Sequence, residues 1–269
     1  MFKHVLKVAV SISLLSSTPV FADAIIDAVS NENRPAEQRI RDEYRNPQQT
    51  LRFFDVQADM AVAEISPGGG WYSNILAPLL KDKGQYYAAH FYLYDGAPGY
   101  YKRLLDGFKQ KVATDPNYKN VKVTAFHHIK AQDFAPAGSL DRVLTFRNVH
   151  NWYMDAGQEG IEQAFISFAK ALKKGGVLGV VDHKLPESAT DEMQKRSGYM
   201  KQSAVVAAAK KAGLTLVAES DINLNPLDSS DHEKGVWTLP PSLRLGDKDR
   251  AKYLAIGEST RMTLKFIKP

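Results

Sequence analysis

The 269-residue chain contains no cysteine. This absence excludes disulfide scaffolds, cysteine-ligated zinc, iron–sulfur clusters and thiol nucleophiles. The chain also lacks a G-x-S-x-G segment, a G-x-G-x-x-G loop and a Gly-Lys-Ser/Thr sequence. The sequence therefore predicts no hydrolase nucleophile elbow, no dinucleotide-binding loop of that type and no phosphate-binding P-loop.

A strong excess of charge of one sign is missing as well. The formal net charge is +5, and lysine and arginine alternate with acidic residues along almost the whole chain. Nucleic-acid-binding proteins concentrate basic residues in a patch or stripe. We therefore interpret the charge as a solvated surface and predict no nucleic-acid partner.

The apolar stretch near the N-terminus is too short to span a membrane. Lys3 and Lys7 precede or flank the apolar residues 8–15, and Val20-Phe21-Ala22 places small residues at the two positions that a signal peptidase inspects. This layout is typical of a secretory signal peptide over residues 1–22, whereas a membrane span needs about 20 apolar residues. We expect cleavage after Ala22, which lowers the net charge by two, and export without a stable membrane anchor. The compartment is the periplasm if the organism is Gram-negative.

The composition, 44% hydrophobic and 24% charged, is that of an ordinary globular protein. Residues 23–50 are polar and helix-prone, and we expect an exposed helical lead-in there. Strand-like and helix-like segments then alternate, which favours βαβ units and a doubly wound, mostly parallel sheet of the α/β class. We predict one domain over residues 51–269, with a long irregular excursion at about 223–257. Seven strands are predicted, at residues 61–65, 86–89, 121–126, 142–146, 177–181, 214–218 and 262–267.

The most informative segment is the glycine cluster that follows the first predicted strand. Its sequence is Glu64-Ile65-Ser66-Pro67-Gly68-Gly69-Gly70, and helical spacing of apolar residues resumes after it. Glycines allow the backbone to approach a ligand closely, and a helix start offers free N–H groups. The segment therefore predicts a ligand-binding loop at the carboxyl end of the first strand.

This loop resembles motif I of the class I S-adenosylmethionine-dependent methyltransferases. Two further segments match that family in order and spacing: residues 140–152, which resemble its fourth-strand motif, and Leu172-Lys173-Lys174-Gly175-Gly176-Val177-Leu178, which resembles the turn into its fifth strand. These three motifs, together with residues 225–228 and 235–241, make the chain resemble a subgroup of predicted exported bacterial methyltransferases. The resemblance covers roughly residues 53–218. It implies a Rossmann-like methyltransferase fold of seven strands, the last of them antiparallel, and S-adenosylmethionine as the cofactor.

The resemblance also implies a set of cofactor-binding residues. This sequence departs from the family pattern at two of them: Ser66 replaces the first glycine of the loop, and His90 replaces the acid that usually holds the ribose hydroxyls. A histidine can hydrogen-bond a ribose without the charge-assisted grip of a carboxylate, and Asp95 is close enough in sequence to substitute for it. The residues expected to bind the cofactor are Glu64, Ser66, Pro67, Gly68, Gly69, Gly70, His90, Asp133 and Arg147.

In this fold the acceptor site opens beyond the fourth and fifth strands, which places five polar residues there. His150 is the first candidate for a general base and His183 the second, because an unperturbed imidazole titrates near neutral pH. Asp182 is expected to orient either imidazole, and Arg147 and Asn148 complete the candidate catalytic set. The alternative interpretation is that the polar loop residues only satisfy backbone groups.

The sequence leaves the function open between two classes. The first is a methyltransferase acting on an unidentified small-molecule acceptor. The second is an exported, non-catalytic ligand-binding protein on the same fold, since an exported enzyme would need a cytoplasmic cofactor. No metal site is predicted: His127 and His128 at the end of the third predicted strand are expected on the surface, without a third ligand at motif spacing.

Overall fold

The computed structural model describes residues 23–269, and the predicted signal peptide lies outside this range. Within residues 23–269, no helix combines the length and the apolar character that crossing a membrane requires.

A mixed sheet of eight strands forms the centre of the protein, in the order β3-β2-β1-β4-β5-β8-β7, with the short β6 paired to β5. Strands β1 to β6 pair in parallel, and β8 runs antiparallel to both β5 and β7. The predicted α/β class, the mostly parallel sheet and the antiparallel last strand are confirmed. The additional strand is β6, which is too short to produce a sequence pattern. The strands are β1 (Ala61–Ile65), β2 (Gln85–Phe91), β3 (Val121–Phe126), β4 (Leu140–Phe146), β5 (Leu172–Leu185), β6 (Met200–Lys201), β7 (Thr215–Ser220) and β8 (Arg261–Ile267).

Helices cover both faces of the sheet. One face packs Phe165, Phe168 and other apolar residues into one core, while the other face packs Leu51 and Ile75 into a second core. Because both faces are covered, β1 is apolar except for Glu64, as buried parallel strands are. The helices are α1 (Ala24–Ser30), α2 (Ala36–Arg39), α3 (Asp42–Arg45), α4 (Pro47–Phe53), α5 (Ser73–Leu80), α6 (Gly99–Thr114), α7 (Val149–Ala171), α8 (Asp191–Ser197), α9 (Gln202–Lys211) and α10 (Arg250–Ile256).

The N-terminal segment differs from the exposed lead-in that the sequence predicts. It forms four short helices, α1 to α4, and two of its arginines, Arg34 and Arg45, are buried. Arg34 binds both carboxylate oxygens of Asp42 at 2.8 Å, and the guanidinium of Arg45 lies 4.6 Å from the ring centroid of Trp71. The prediction of exposure holds for Glu37, Arg39 and Glu43. It is wrong for Arg34 and Arg45, because ion pairs and aromatic contacts bury these side chains.

The sheet topology determines where a ligand can bind. β1 lies between β2 and β4, so the chain leaves β1 toward one edge of the sheet and returns through β4 on its other side. In open α/β sheets, ligands bind outside the carboxyl ends of the strands at this reversal. The register aligns Ile65 at the end of β1 with Thr145 near the end of β4.

Candidate functional site

A cavity of about 520 Å³ lies at the carboxyl ends of β1, β2 and β4. The glycine loop forms one wall of it, and the residues that follow β4 form a second wall. The short helices α2 and α3 contribute a third wall, and residues from the C-terminal excursion, including Trp237, close the fourth. The cavity therefore brings together segments from the two ends of the chain and its first βαβ unit.

The glycine loop is held in a conformation that suits ligand contact. Ser66 and Gly68 have φ values of +50° and +58°, in the left-handed region. A Cβ added to Gly68 or Gly69 would meet no atom within 4 Å, so the backbone there faces open space. Within residues 23–269, the N–H groups of Gly68 and Gly69 donate to no other backbone group. The loop thus offers free donors at the wall of the cavity, and Ser66, Pro67, Gly68 and Gly69 line it.

His90 lies beneath this loop and not at the cavity surface. Its Nδ1 accepts the N–H of Phe91 at 2.9 Å, so its Nε2–H donates to the carbonyl of Gly68 at 3.1 Å. Burial lowers the pKa of His90 to about 4, which keeps the ring neutral. Both ring nitrogens of His90 therefore form hydrogen bonds within the protein. The histidine supports the glycine loop, and the predicted contact with a ribose is not available to it. Asp95 is exposed and does not line the cavity.

Two other predicted cofactor residues lie behind the loop. The carboxylate of Glu64 is buried and accepts hydrogen bonds from Ser73 at 2.7 Å and from Tyr86 at 2.5 Å. Gly70 has φ +77°, a conformation that favours glycine, so this residue serves the turn at the end of the loop. Neither residue lines the cavity.

Glu64 leads to a prediction about stability. Burial raises its pKa to about 7 although Tyr86 and Ser73 donate to it. A carboxyl whose folded pKa exceeds its unfolded value destabilises the protein increasingly as the pH rises from about 4.5 to 7. Glu64→Gln, which keeps an oxygen for both donors, is expected to stabilise the protein by about 2 kcal/mol more at pH 8 than at pH 5. Urea denaturation at the two pH values measures this, and a pH-independent difference would contradict it.

Asp133 lies away from the cavity. Its carboxylate is exposed and pairs with Lys170 at 2.7 Å, and both residues line a separate surface depression beside β3. The structure thus does not bring Asp133 together with the glycine loop, because its carboxylate pairs with Lys170 at the surface.

The residues that follow β4 have separate roles. The side-chain amide of Asn148 donates to the carbonyl of Ile65 at 2.8 Å and ties the end of β1 to the start of α7. Arg147 has φ +61°, and its N–H donates to the carbonyl of Val181 at 2.7 Å. Its guanidinium lines the cavity and binds no other side chain within residues 23–269. The alternative interpretation, in which the polar loop residues only satisfy backbone groups, therefore holds for the side chain of Asn148 and fails for that of Arg147.

His150 and Asp182 form a buried pair at the cavity wall. The ring Nδ1–H of His150 donates to Oδ1 of Asp182 at 2.8 Å, and its backbone N–H donates to Oδ2 at 3.0 Å. Asp182, in β5, is fully buried and faces the first turn of α7, where a negative charge is favoured. The contact leaves Nε2 of His150 as the proton acceptor. This is the arrangement of a general base with an orienting carboxylate.

His183 is adjacent but differs in its electrostatics. Its ring centroid lies 5.0 Å from that of His150, and its Nδ1 contacts the hydroxyl of Ser259 at 2.5 Å. Burial lowers the pKa of His183 well below its usual value, and the charges of His150, Arg261, Arg147 and Arg45 lower it further. A ring that does not hold a proton is a poor general base, so the geometry favours His150 over His183.

Arginines that were not predicted from the sequence as site residues lie beside Arg147 at the cavity. Arg41 and Arg45 from the N-terminal helices and Arg261 from β8 line the cavity beside Arg147, and we call these four residues the arginine cluster. Glu258 is the shared partner of Arg41, Arg45 and Arg261. The sequence contained one usable indication, the i,i+4 spacing of Arg41 and Arg45, but in a polar segment this pattern is also typical of a solvated helix.

Two groups of side chains have atoms that suit a metal ion. His150, Asp182 and His183 offer ligand atoms within 4.8 Å of one another, as do His127, His128 and Asp155. In the first group Asp182 already accepts hydrogen bonds at both oxygens. In the second, His127 and His128 are buried, so the expectation of surface histidines is wrong: their rings stack on each other with centroids 4.4 Å apart.

The fold is similar to that of solved methyltransferases. A SAM-dependent methyltransferase from Aquifex aeolicus matches with a TM-score of 0.55 and 15% identity, over 85% of this chain and 93% of that one. Geranyl diphosphate C-methyltransferase from Streptomyces coelicolor A3(2) matches with a TM-score of 0.53 and 10% identity, over 91% and 87%. The cyclase SpnF matches with a TM-score of 0.54 and 13% identity, over 91% and 92%.

These similarities concern the fold. The sequence matches no protein-family model and no curated protein. The chain thus has the mixed α/β fold that S-adenosylmethionine-dependent methyltransferases share. Because one of the similar structures is a cyclase, this fold does not by itself specify the reaction.

Proposed function

We propose that the protein is an S-adenosylmethionine-dependent methyltransferase that acts on a small-molecule acceptor. The observation that carries the proposal is that the glycine loop and His150, which pairs with Asp182, line one cavity. A cofactor loop and a general base must converge in this way, because methyl transfer requires the acceptor atom and the methyl group to be aligned.

The loop residues fit the methionine part of such a cofactor. Ser66, Pro67, Gly68 and Gly69 would hold it, since their backbone is open and two of their N–H groups are free. Phe91 at the end of β2 also lines the cavity and offers an apolar surface there. When bound, S-adenosylmethionine supplies an electrophilic methyl group.

The chain's own residues then handle the proton of the acceptor. Nε2 of His150 accepts a proton from an acceptor hydroxyl, amine or acidic carbon as that atom becomes nucleophilic. Asp182 holds the ring in this orientation and stabilises the imidazolium that forms. His183 remains neutral and contributes a polar wall.

Cofactor binding is tested by calorimetric titration of the protein with S-adenosylhomocysteine. Gly69→Val is expected to weaken binding by at least about tenfold, because a side chain there occupies the space of the ligand. The matched control is Gly99→Val at the start of α6. At both glycines an added Cβ meets no atom within 4 Å and φ is not positive, so neither variant should be strained. Equal affinities for Gly69→Val and the wild type would mean that the loop is not the site.

A non-catalytic ligand-binding protein is the second candidate function. The observation that favours it is His90, which occupies the position of the usual ribose-binding acid and has both nitrogens engaged. Binding of S-adenosylhomocysteine without methyl transfer from S-adenosylmethionine to a small-molecule extract would support this candidate. We also infer from residues 1–22 that the chain is exported to the periplasm and cleaved after Ala22.

A further inference from the structure

The wall of the cavity formed by the arginine cluster has more positive than negative charge. Its four guanidinium groups come from the N-terminal helices (Arg41, Arg45), from the residues after β4 (Arg147) and from β8 (Arg261). Glu37 is the one carboxylate among the residues that line the cavity, and it is exposed. Segments more than 200 positions apart in the chain thus converge with like charges.

Two buried carboxylates offset part of this charge. Glu258 contacts Arg41 at 2.6 Å and Arg45 at 3.1 Å, and it also pairs with Arg261. Asp182 acts on Arg147 from a distance, but its oxygens accept hydrogen bonds from His150 and His183. Four positive charges therefore face two buried negative ones, while Glu37 is exposed to solvent. Within residues 23–269, Arg41, Arg45 and Arg261 pair with Glu258, and Arg147 pairs with no carboxylate.

The cluster also contains hydrogen-bond donors without a partner. Among residues 23–269, Nη2 of Arg45 and Nε of Arg261 are buried and bind no acceptor. The side chains of Arg45 and Arg261 are 4% and 3% exposed. Burial, together with the charge of Arg261, lowers the pKa of Arg147 to about 10. Buried donors and charges without partners are destabilising unless a ligand satisfies them.

We propose that the arginine cluster binds the phosphate group of a small phosphorylated ligand. A phosphate monoester carries up to two negative charges, as many as the two buried carboxylates leave uncompensated, whereas a carboxylate carries one. Guanidinium groups bind phosphate oxygens in pairs of parallel hydrogen bonds. The ring centroid of Trp237 lies 6.2 Å from that of His150. The indole ring of Trp237 provides an apolar surface for the rest of the ligand. That this ligand is the methyl acceptor rests on the proposed function; the anion site itself does not.

The test is calorimetric titration of the protein with phenyl phosphate and with benzoate, at one ionic strength set with sodium chloride. Phenyl phosphate is expected to bind at least about tenfold more tightly than benzoate. Arg147→Gln should lower the affinity for phenyl phosphate by about 10- to 100-fold, because the substitution removes charge-assisted hydrogen bonds. This variant leaves no carboxylate without its partner, and its thermal unfolding is compared with the wild type to verify the fold.

The matched control is Arg244→Gln. The guanidinium of Arg244 stacks over Trp237, 4.6 Å from its ring centroid, and Arg244 does not line the cavity. The substitution Arg244→Gln therefore removes the same charge as Arg147→Gln, but outside the site. Its affinity for phenyl phosphate should remain within about twofold. An equal loss in both variants would overturn the proposal in favour of non-specific attraction, and equal affinity of the wild type for benzoate and phenyl phosphate would overturn the assignment to phosphate.

A parallel titration with S-adenosylhomocysteine separates the two proposals. If Arg147→Gln no longer binds S-adenosylhomocysteine but still binds phenyl phosphate, Arg147 belongs to the cofactor site and the anion site is refuted. If the wild type binds phenyl phosphate and not S-adenosylhomocysteine, the methyltransferase proposal fails while the anion site is supported.

Discussion

His150→Gln is expected to lower the rate of methyl transfer by about 100- to 10,000-fold, the range typical of a lost general base. The glutamine side chain can still accept a hydrogen bond in the cavity but cannot take up a proton at neutral pH. Asp182 would lose its contact with Nδ1 and keep the two backbone N–H groups of His150 and His183. The measurement is transfer of radiolabelled methyl groups from S-adenosylmethionine to a small-molecule extract.

The control for this prediction is the neighbouring histidine. His183→Gln removes an imidazole from the same wall, but that ring is kept neutral by burial and by the arginine cluster. We expect its rate to fall by less than about tenfold. Both variants should bind S-adenosylhomocysteine like the wild type. A larger loss for His183→Gln than for His150→Gln would exchange the roles of the two residues.

Glu258→Gln is expected to destabilise the protein by about 3 kcal/mol at pH 7, because removing one partner leaves buried positive charges uncompensated. Its side chain is 2% exposed and pairs with Arg41, Arg45 and Arg261. Urea denaturation measures the change. The control is Glu233→Gln, since Glu233 pairs with Lys248 on the surface and its loss should leave stability unchanged.

The pH dependence of this effect has a defined sign. Burial alone would raise the pKa of Glu258, but the charges of Arg261, Arg45, Arg147 and Arg41 lower it to about 2. A carboxyl with a lowered folded pKa contributes its full stability above the unfolded value of about 4.5 and loses it as the pH falls toward 2. The stability difference between the wild type and Glu258→Gln should therefore shrink between pH 5 and pH 3. A difference that is constant over this range would show that the ion pairs are not its source.

Much of the fold could be predicted because buried parallel strands are recognisable in sequence. The predicted strands at 61–65 and 121–126 have the same bounds as β1 and β3. The two-residue strand β6 and the helix α8 could not be predicted, because neither is long enough to show a period. Gly157, with φ +62°, interrupts α7 between the turn that carries His150 and the turns that pack the core, so apolar spacing revealed only the second part.

The candidate site was partly accessible for a similar reason. His150 follows β4 and Asp182 lies in β5, and neighbouring parallel strands bring their carboxyl ends together, so their proximity follows from the order of elements. His90 and Asp133 were expected at the cavity as well, because the resemblance to the methyltransferase family implies cofactor contacts at these positions. Their side chains point elsewhere because local contacts, with Gly68 and with Lys170, determine the orientation.

The sequence by itself determined the sheet, the glycine loop and the position of the His150–Asp182 pair, because each depends on short segments and on the order of strands. Only the tertiary structure decided the charge of the cavity. Arg45 and Glu258 are separated by 213 positions and meet because α3 packs beside the start of β8. In sequence each is an ordinary charged residue in a polar segment. Only the packing of the chain buries them as an ion pair and brings Arg45 to the cavity beside Arg41, Arg147 and Arg261.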